Sequence, residues 1–298
     1  MSSKLNEGRV AIVTGAGQGL GRAHAHAFAA DGAAVVVNDY DADSANTVAQ
    51  EIRDAGGQAV ASVGDVADWA YGESLVATAI SEFGRLDTLV NNAGFVRDRM
   101  LVSLSEDEWD SVVRVHLKGH FVTLRHAAAY WRAESKAGRT PAARIINTSS
   151  GAGLYGSVGQ GNYSAAKAAI AELTIQAAAE LGGYGITANA IAPSARTQMT
   201  VGAGGAMAEQ MAAPTDGSFD AMNPANVSPL VVWLGSAQSA SVTGRVFEVE
   251  GGKISVSDGW QRSVEADKGA RWDVAELGPV VEELLAKAPV PMPVYGAR

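Results

Sequence analysis

Arg9-Val-Ala-Ile-Val-Thr-Gly-Ala-Gly-Gln-Gly-Leu-Gly21 is the stretch from which the rest of the chain can be placed. Arg9 to Thr14 is a short β-branched run, and Gly15, Gly17, Gly19 and Gly21 follow it. An alanine-rich segment predicts a helix from about Leu20 to Ala30. Ala33-Ala-Val-Val-Val-Asn38 then reads as a buried strand, closed by Asp39. Strand, glycine turn, helix, strand and acid together form a βαβ crossover with parallel strands. The glycines allow a tight turn and a close backbone approach to a ligand, where Cβ atoms would be in the way. The helix behind them offers free N–H groups and a positive dipole end to a pyrophosphate. Asp39 follows Gly21 by 18 residues, about where an acid meets an adenine ribose hydroxyl. Because position 20 is Leu, the pattern is Thr-Gly-x-x-x-Gly-x-Gly and not Gly-x-Gly-x-x-Gly. A glycine-rich turn in some other α/β protein is the plainer alternative; the closing acid favours nucleotide binding. A carboxylate at Asp39 repels a 2′-phosphate. Tyr40 is not basic, and Ala16, Gly17 and Gln18 supply no cation. The expected cofactor is therefore NAD(H) and not NADP(H).

Working outward, residues 44–56 read as a second helix, Gln58 to Val63 as a third strand and Trp69 to Phe83 as a third helix. Asp65-Val66 lies between them, placed to meet an adenine ring. Leu86-Asp-Thr-Leu-Val-Asn91 is a fourth strand leading into Asn91-Asn-Ala-Gly94, with Asn92, Ala93 and Gly94 where a cofactor passes. Glu106 to about Glu134 reads as one long helix capped by Ser105. It carries His116, His120 and His126, the first two four apart, a spacing that suits zinc. No third ligand is evident, so no metal is expected, and His120 and His126 read as packing or surface residues. Arg144-Ile-Ile-Asn-Thr148 is a fifth strand, Ile186 to Ile191 a sixth before Pro193, Val227 to Leu234 a short helix, and Arg245 to Val249 a seventh strand. Residues 198–224, rich in Gly, Ala and Met, read as a lid after a strand's carboxyl end. The fold expected is one α/β domain, residues 1–264. It is a Rossmann-type, doubly wound parallel sheet of about seven strands with helices on both faces. A C-terminal extension, 265–298, has an amphipathic stretch from Val274 to Ala286 that could dock on the body or on a neighbour. Pro289, Pro291 and Pro293 then break structure, and no catalysis is assigned to it.

The 298 residues are 47% apolar and 18% charged, ordinary for a globular chain with a sizeable core, and carry a net charge of −9. An acidic chain is a poor candidate for non-specific nucleic-acid binding. There is no cysteine, hence no disulfide, thiolate metal site or cysteine nucleophile. The first residues lack an apolar signal core, and no apolar run reaches the roughly 18 residues of a membrane span. The expectation is a soluble, cytoplasmic protein.

The chemistry is concentrated between Asn147 and Lys167. Tyr163 and Lys167 are four apart, so a helix through them stacks phenol and ammonium on one face. A cation there favours phenolate and lowers the phenol's pKa. Ser150 stands at the end of the fifth strand, thirteen residues before the tyrosine. A loop and a returning helix could bring its hydroxyl against the phenol. Alone, Tyr-x-x-x-Lys is equally well a solvated helix face.

Taken together, Thr14-Gly15-Ala-Gly-Gln-Gly19-Leu-Gly21, Asp39, Asp65, Asn91-Asn-Ala-Gly94, Ser150, Tyr163-x-x-x-Lys167 and Pro193 resemble the short-chain dehydrogenase/reductase family over roughly residues 8–260. Asn38-Asp39, Phe95 to Met100, Arg114 to Gly119 and Ile191 to Arg196 are similar, within it, to the (3R)-hydroxyacyl-CoA dehydrogenase units of peroxisomal multifunctional enzymes and their bacterial relatives. The resemblance implies catalysis by Ser150, Tyr163 and Lys167. It implies a dinucleotide held by Gly15, Gln18, Gly19, Leu20, Gly21, Asp39, Asp65, Val66, Asn92, Ala93, Gly94, Tyr163, Lys167, Pro193 and Thr197. It implies a homo-dimer or homo-tetramer acting on a small molecule, an acyl-CoA or alternatively a 17β-hydroxysteroid. A catalytically silent nucleotide sensor on the same fold is the alternative of another class. The family usually has Asn, within a proton relay, where this chain has His116, a residue that also occurs in the multifunctional enzymes. The usual Pro-Gly is here Pro193-Ser194, and Thr197 is the hydroxyl expected to meet the nicotinamide amide.

Overall fold

The computed structural model describes residues 4–197, 211–257 and 259–297. Its strands are β1 (Val10–Val13), β2 (Ala34–Asp39), β3 (Gln58–Val63), β4 (Thr88–Asn91), β5 (Ala143–Thr148), β6 (Ile186–Ser194), β7 (Val246–Glu250) and β8 (Lys253–Ser257). They form one sheet in the order β3-β2-β1-β4-β5-β6-β7-β8. The first seven strands run parallel, and β8 is antiparallel to β7. The strand order reverses between β1 and β4, which opens a crevice at their carboxyl ends.

Strand burial follows from this topology. A parallel sheet is covered on both faces, so its strands read as unbroken apolar runs, and β1, β4 and β5 are buried along their whole length. Successive side chains point to opposite faces. Val13 thus joins Phe28, Ile52 and Leu234 in one core layer, whereas Ile12 joins Leu75, Trp131 and Ile145 in the other. The first layer lies under α1 (Gly19–Ala30), α2 (Ala42–Asp54) and α8 (Ser228–Gly235). The second lies under α3 (Trp69–Phe83), α5 (Gly119–Lys136) and α7 (Gly161–Leu181). Trp131 is fixed there by its indole N–H, which donates to Leu86 O at 2.6 Å.

The doubly wound sheet with helices on both faces is as expected, with differences in detail. The eighth strand was not foreseen. The long helix expected from Glu106 is divided into α4 (Glu106–Val113), a π turn at Arg114–Lys118, and α5. Ser105 caps α4 as expected, in a reciprocal capping box with Glu108. A five-residue helix, α6 (Gly151–Tyr155), follows Ser150. Beyond β8 the chain runs outside the sheet. None of the residues of α9 (Leu277–Lys287) is buried, but Tyr295 returns to bridge Ser157. Of the expected lid, 198–210 lies outside the described residues. The remainder is tied back by Arg196, which pairs with Asp220 and donates to Met211 O at 2.9 Å. None of the described helices is long and apolar enough to cross a membrane.

Candidate active site

At the carboxyl ends of the strands, a cleft of about 640 Å³ follows the reversal between β1 and β4. Gly15, Gln18, Gly19, Leu20, Asp39, Asp65, Val66, Asn92, Ala93, Gly94 and Thr197 all line it. Gly15 has φ +61°, and a Cβ on it would lie 2.8 Å from Ala93 Cα, so the turn needs glycine for both conformation and space. Gln18, at the N-cap of α1, gives no side-chain hydrogen bond to the helix, so the first turn's N–H groups are left to a ligand. Asp39 accepts Gly17 N–H at 2.9 Å and Asp41 N–H at 3.0 Å, which locks its carboxylate at the end of β2. Asn92 is wired to β1, its amide donating to Thr14 O at 3.0 Å and Gly15 O at 3.2 Å. These features fit a dinucleotide: a Cβ-free turn, uncapped helix N–H groups and an acid at the ribose position.

Four residues expected at the cofactor, Gly21, Tyr163, Lys167 and Pro193, do not line this cleft. Gly21 does not line the cleft; it packs α1 onto the turn, where a Cβ would lie 2.7 Å from Asn92 Nδ2 and closer still to Gly15 O. Pro193 lies within β6, opposite Val249, and is not among the cleft's lining residues. Conversely, Arg97 and Arg114 line the cleft, although the glycine turn itself supplied no cation. Arg114 pairs with Asp65 at 2.6 Å. No local spacing pointed to that pairing, since 49 residues separate the partners.

The fold brings Ser150, Tyr163, Lys167 and His116 together. Ser150 is the N-cap of α6, its Oγ accepting Ala152 N–H at 3.2 Å. The Ser150 hydroxyl is the neighbour that pulls the pKa of the Tyr163 phenol down. The Lys167 ammonium, 2% exposed, lies 5.5 Å from the centroid of the Tyr163 ring and donates to Thr148 O at 2.6 Å. Ser149 Oγ donates to Lys167 O at 2.8 Å, which pins α7 to the end of β5.

The electrostatics correct one expectation. Burial raises the Tyr163 phenol above its ordinary value, although Ser150 pulls it down. The same burial lowers Lys167 from 10.5 to about 7. Desolvation acts on both groups against their charged forms. The protein alone therefore keeps a protonated phenol beside an ammonium that titrates near neutrality, and the lysine's position does not by itself produce a phenolate.

His116 lies in the π turn, 1% exposed and edge-on to Tyr163, with ring centroids 5.2 Å apart. Its Nε2 is 2.7 Å from Phe95 O and 3.1 Å from Phe95 N. Phe95 N–H donates to Nε2, and Nδ1 is buried without a partner. Burial first, then Lys167, hold its pKa well below 6.5, so the ring is neutral. For His120 the expectation is a packing or surface residue. It is 2% exposed, with an unpaired Nε2 and a pKa lowered to about 3 by burial and then by Lys167. Thr148 Oγ1 is also buried and unpaired. Polar residues at helical spacing do not reveal such a cluster, because it is assembled across β5, α5 and α7. Among the described residues no group of three or more His, Cys, Asp or Glu is placed to hold a metal.

The family profile described as short chain dehydrogenase matches residues 9–208. The chain is 46% identical over 94% of its length to the hydroxyacyl-CoA dehydrogenase ChsB1 of Mycobacterium tuberculosis, covering 89% of that protein. It is 42% identical over 89% of its length to the peroxisomal multifunctional enzyme type 2 of Mus musculus, of which it spans only 35%. A crystal structure of a short chain dehydrogenase from Mycobacterium avium superposes with a TM-score of 0.89 at 60% identity, covering 98% of this chain and 100% of that one. The chain belongs to the short-chain dehydrogenase family and is an oxidoreductase.

Proposed function

We propose that this enzyme is an NAD(H)-dependent dehydrogenase interconverting a secondary alcohol and a ketone, with a 3-hydroxyacyl-CoA as substrate. The observation that carries the proposal is the cluster of Ser150, Tyr163 and Lys167, joined through His116 to Phe95 at the wall of a cleft with dinucleotide-binding features. Asp39 at the ribose position supports NAD over NADP, since its charge opposes a 2′-phosphate. Arg114 does not reverse that balance, because Asp65 already engages it. The acyl-CoA assignment draws on the relatives named as hydroxyacyl-CoA dehydrogenase and multifunctional enzyme. Arg97 suits a CoA phosphate: it stacks on Phe95, 4.9 Å from the ring centroid, and lines the cleft, whereas Arg99 is held by Glu108.

In this scheme Ser150 and Tyr163 hold the substrate oxygen. Tyr163 accepts the hydroxyl proton as the carbon's hydrogen departs with its electron pair, and it returns a proton to the oxygen in the reverse direction. A bound oxidised nicotinamide would supply the hydride acceptor. Lys167 would hold the nicotinamide ribose and, when charged, favour the phenolate. Neutral His116, edge-on to Tyr163, serves the proton path where the family usually has an amide.

Tyr163→Phe tests the scheme. Turnover of 3-hydroxyacyl-CoAs with NAD+ should fall by about 10²–10⁴, while NADH binding, read by fluorescence, stays intact. Normal turnover in that variant rejects the scheme. A panel of 3-hydroxyacyl-CoAs and 17β-hydroxysteroids, each with NAD+ and NADP+, tests substrate and cofactor. Higher kcat/KM for the steroids, or for NADP+, rejects the corresponding assignment.

A further inference from the structure

The last residues of the chain return to the substrate side of the site. After Pro293, the segment Val294-Tyr-Gly296 pairs with Ser157 as a one-residue parallel bridge. Tyr295 N–H donates to Gly156 O at 3.2 Å, and Val158 N–H donates to Tyr295 O at 2.9 Å. The Tyr295 ring stands edge-on to Tyr155, with centroids 6.1 Å apart. It also closes over Gly151, where a Cβ would lie 2.6 Å from the Tyr295 hydroxyl oxygen. Val294 covers Gly156 in the same way, its Cγ1 lying 3.3 Å from where a Cβ would be.

Gly151 is the first residue of α6, and Ser150 is that helix's N-cap. A five-residue helix has too few internal hydrogen bonds to hold itself in place. Its far end is anchored by the Tyr155 hydroxyl, which donates to the Glu248 carboxylate at 2.5 Å. The loop that follows is laced on its inner edge by Arg99 N–H donating to Gly159 O at 2.7 Å. One side of α6 packs on α7, where a Cβ on Gly153 would lie 2.6 Å from Lys167 C, and the tail meets the helix at Gly151 and the following loop at Gly156 and Val158.

We propose that Tyr295 is a positioning residue: the C-terminal segment forms the outer wall of the substrate side and, through Gly151 and α6, holds the Ser150 hydroxyl against the Tyr163 phenol. The proposal rests on the assignment of Ser150 and Tyr163 to the reacting oxygen. The wall is apolar at its rim, where Val158 and Val294 are 47% and 42% exposed, and an exposed apolar rim beside a polar reacting pair suits the hydrocarbon part of a substrate.

The test uses the full-length chain in four forms: wild type, Tyr295→Ala, Tyr295→Phe and Gly151→Ala. Hydrogen exchange over residues 151–158 needs no substrate. Tyr295→Ala should speed it about tenfold, the mark of a lost local brace. In steady-state assays kcat should fall about tenfold or more, since small misplacements of a reacting group are expensive in rate, while KM for NAD+ stays within about twofold because the dinucleotide cleft is untouched. Tyr295→Phe keeps ring and main chain and should restore both readouts. Gly151→Ala, whose methyl displaces the tail, should reproduce the Tyr295→Ala behaviour, and combining the two should add nothing further. Unchanged exchange and kcat in Tyr295→Ala would overturn the proposal, as would a loss shared equally by NAD+ binding. If the wild type turns over neither hydroxyacyl-CoAs nor steroids, the functional proposal fails, and the exchange data still decide whether the tail braces the loop.

Discussion

Gly94→Ala is the sharpest probe of how the site is packed. A Cβ at that position would lie 2.5 Å from His116 Nδ1 and 2.8 Å from Nε2, and closer still to the carbon between them. Ordinary contacts between such atoms are about 3.5–4.0 Å, so the ring must retreat by roughly 1 Å or more. It has little room to do so. It is 1% exposed, Nε2 is held by the Phe95 main chain, and the Tyr163 ring stands against it. Overpacking of this kind costs about 1–3 kcal/mol of stability. A displaced imidazole presses on Tyr163, and a shift of about 1 Å at a reacting group is worth up to roughly 10²-fold in rate. Urea denaturation and steady-state kinetics on wild type, Gly94→Ala, His116→Ala and the double variant measure both effects. The methyl has no ring to strike in the double variant, so the cycle should show a coupling of about 1 kcal/mol or more. Wild-type stability and kcat in Gly94→Ala would refute the packing argument.

His24 and His120 are both lowered to about 3 by burial. The unfolded chain takes up protons near 6.5 that the folded chain refuses, so their contribution is complete above pH 6.5 and is lost as pH falls toward 3. Unfolding free energies from urea titrations should decline across that window by about 1.4 kcal/mol per pH unit per histidine, and His24→Gln should flatten the decline; an identical slope would contradict the assignment. Lys167 acts with the same sign in a higher pH window. With its folded value near 7 and its unfolded value at 10.5, the buried amine destabilises fully below pH 7, and the penalty fades as pH rises toward 10.5. Lys167→Met should therefore be more stable than wild type at pH 6, match it above pH 10 and lose turnover; a variant less stable at pH 6 would speak against this. Trp131→Phe removes the bond to Leu86 O and should cost about 1–3 kcal/mol without changing kcat, as thermal melts and assays would report.

The sequence exposed whatever depends on local spacing. Gly15 to Gly21 followed by Asp39 announced the crossover and its cleft, and Tyr163 with Lys167 announced a shared helix face. It concealed whatever depends on distant partners or on irregular backbone. A π turn has no periodic signature, so α4 and α5 read as one helix. β8 is an exposed edge strand whose Ile254 and Val256 face outward, and it lacks the buried run that marked its neighbours. α6 is five residues with two glycines, too short for any amphipathic pattern. The sign of the Tyr163 shift escaped because spacing reveals a neighbouring charge but not the burial that raises the phenol. The tail's contact with Gly156 and Val158 lies beyond three alternating prolines, which locally signal only an interruption.

The widened turn at Arg114–Lys118 makes this part of the chain intolerant of length changes. Each residue of an α-helix advances the azimuth by about 100°. Removing one codon within the turn would let α4 and α5 fuse into a regular helix with every main-chain bond made. All that follows would nevertheless be rotated by about a quarter-turn, and the side that now carries His120, Thr123 and Trp131 inward would swing toward solvent. A substitution at one of these five positions acts through that side chain's own contacts, whereas a single-residue deletion misaims a whole wall of the core.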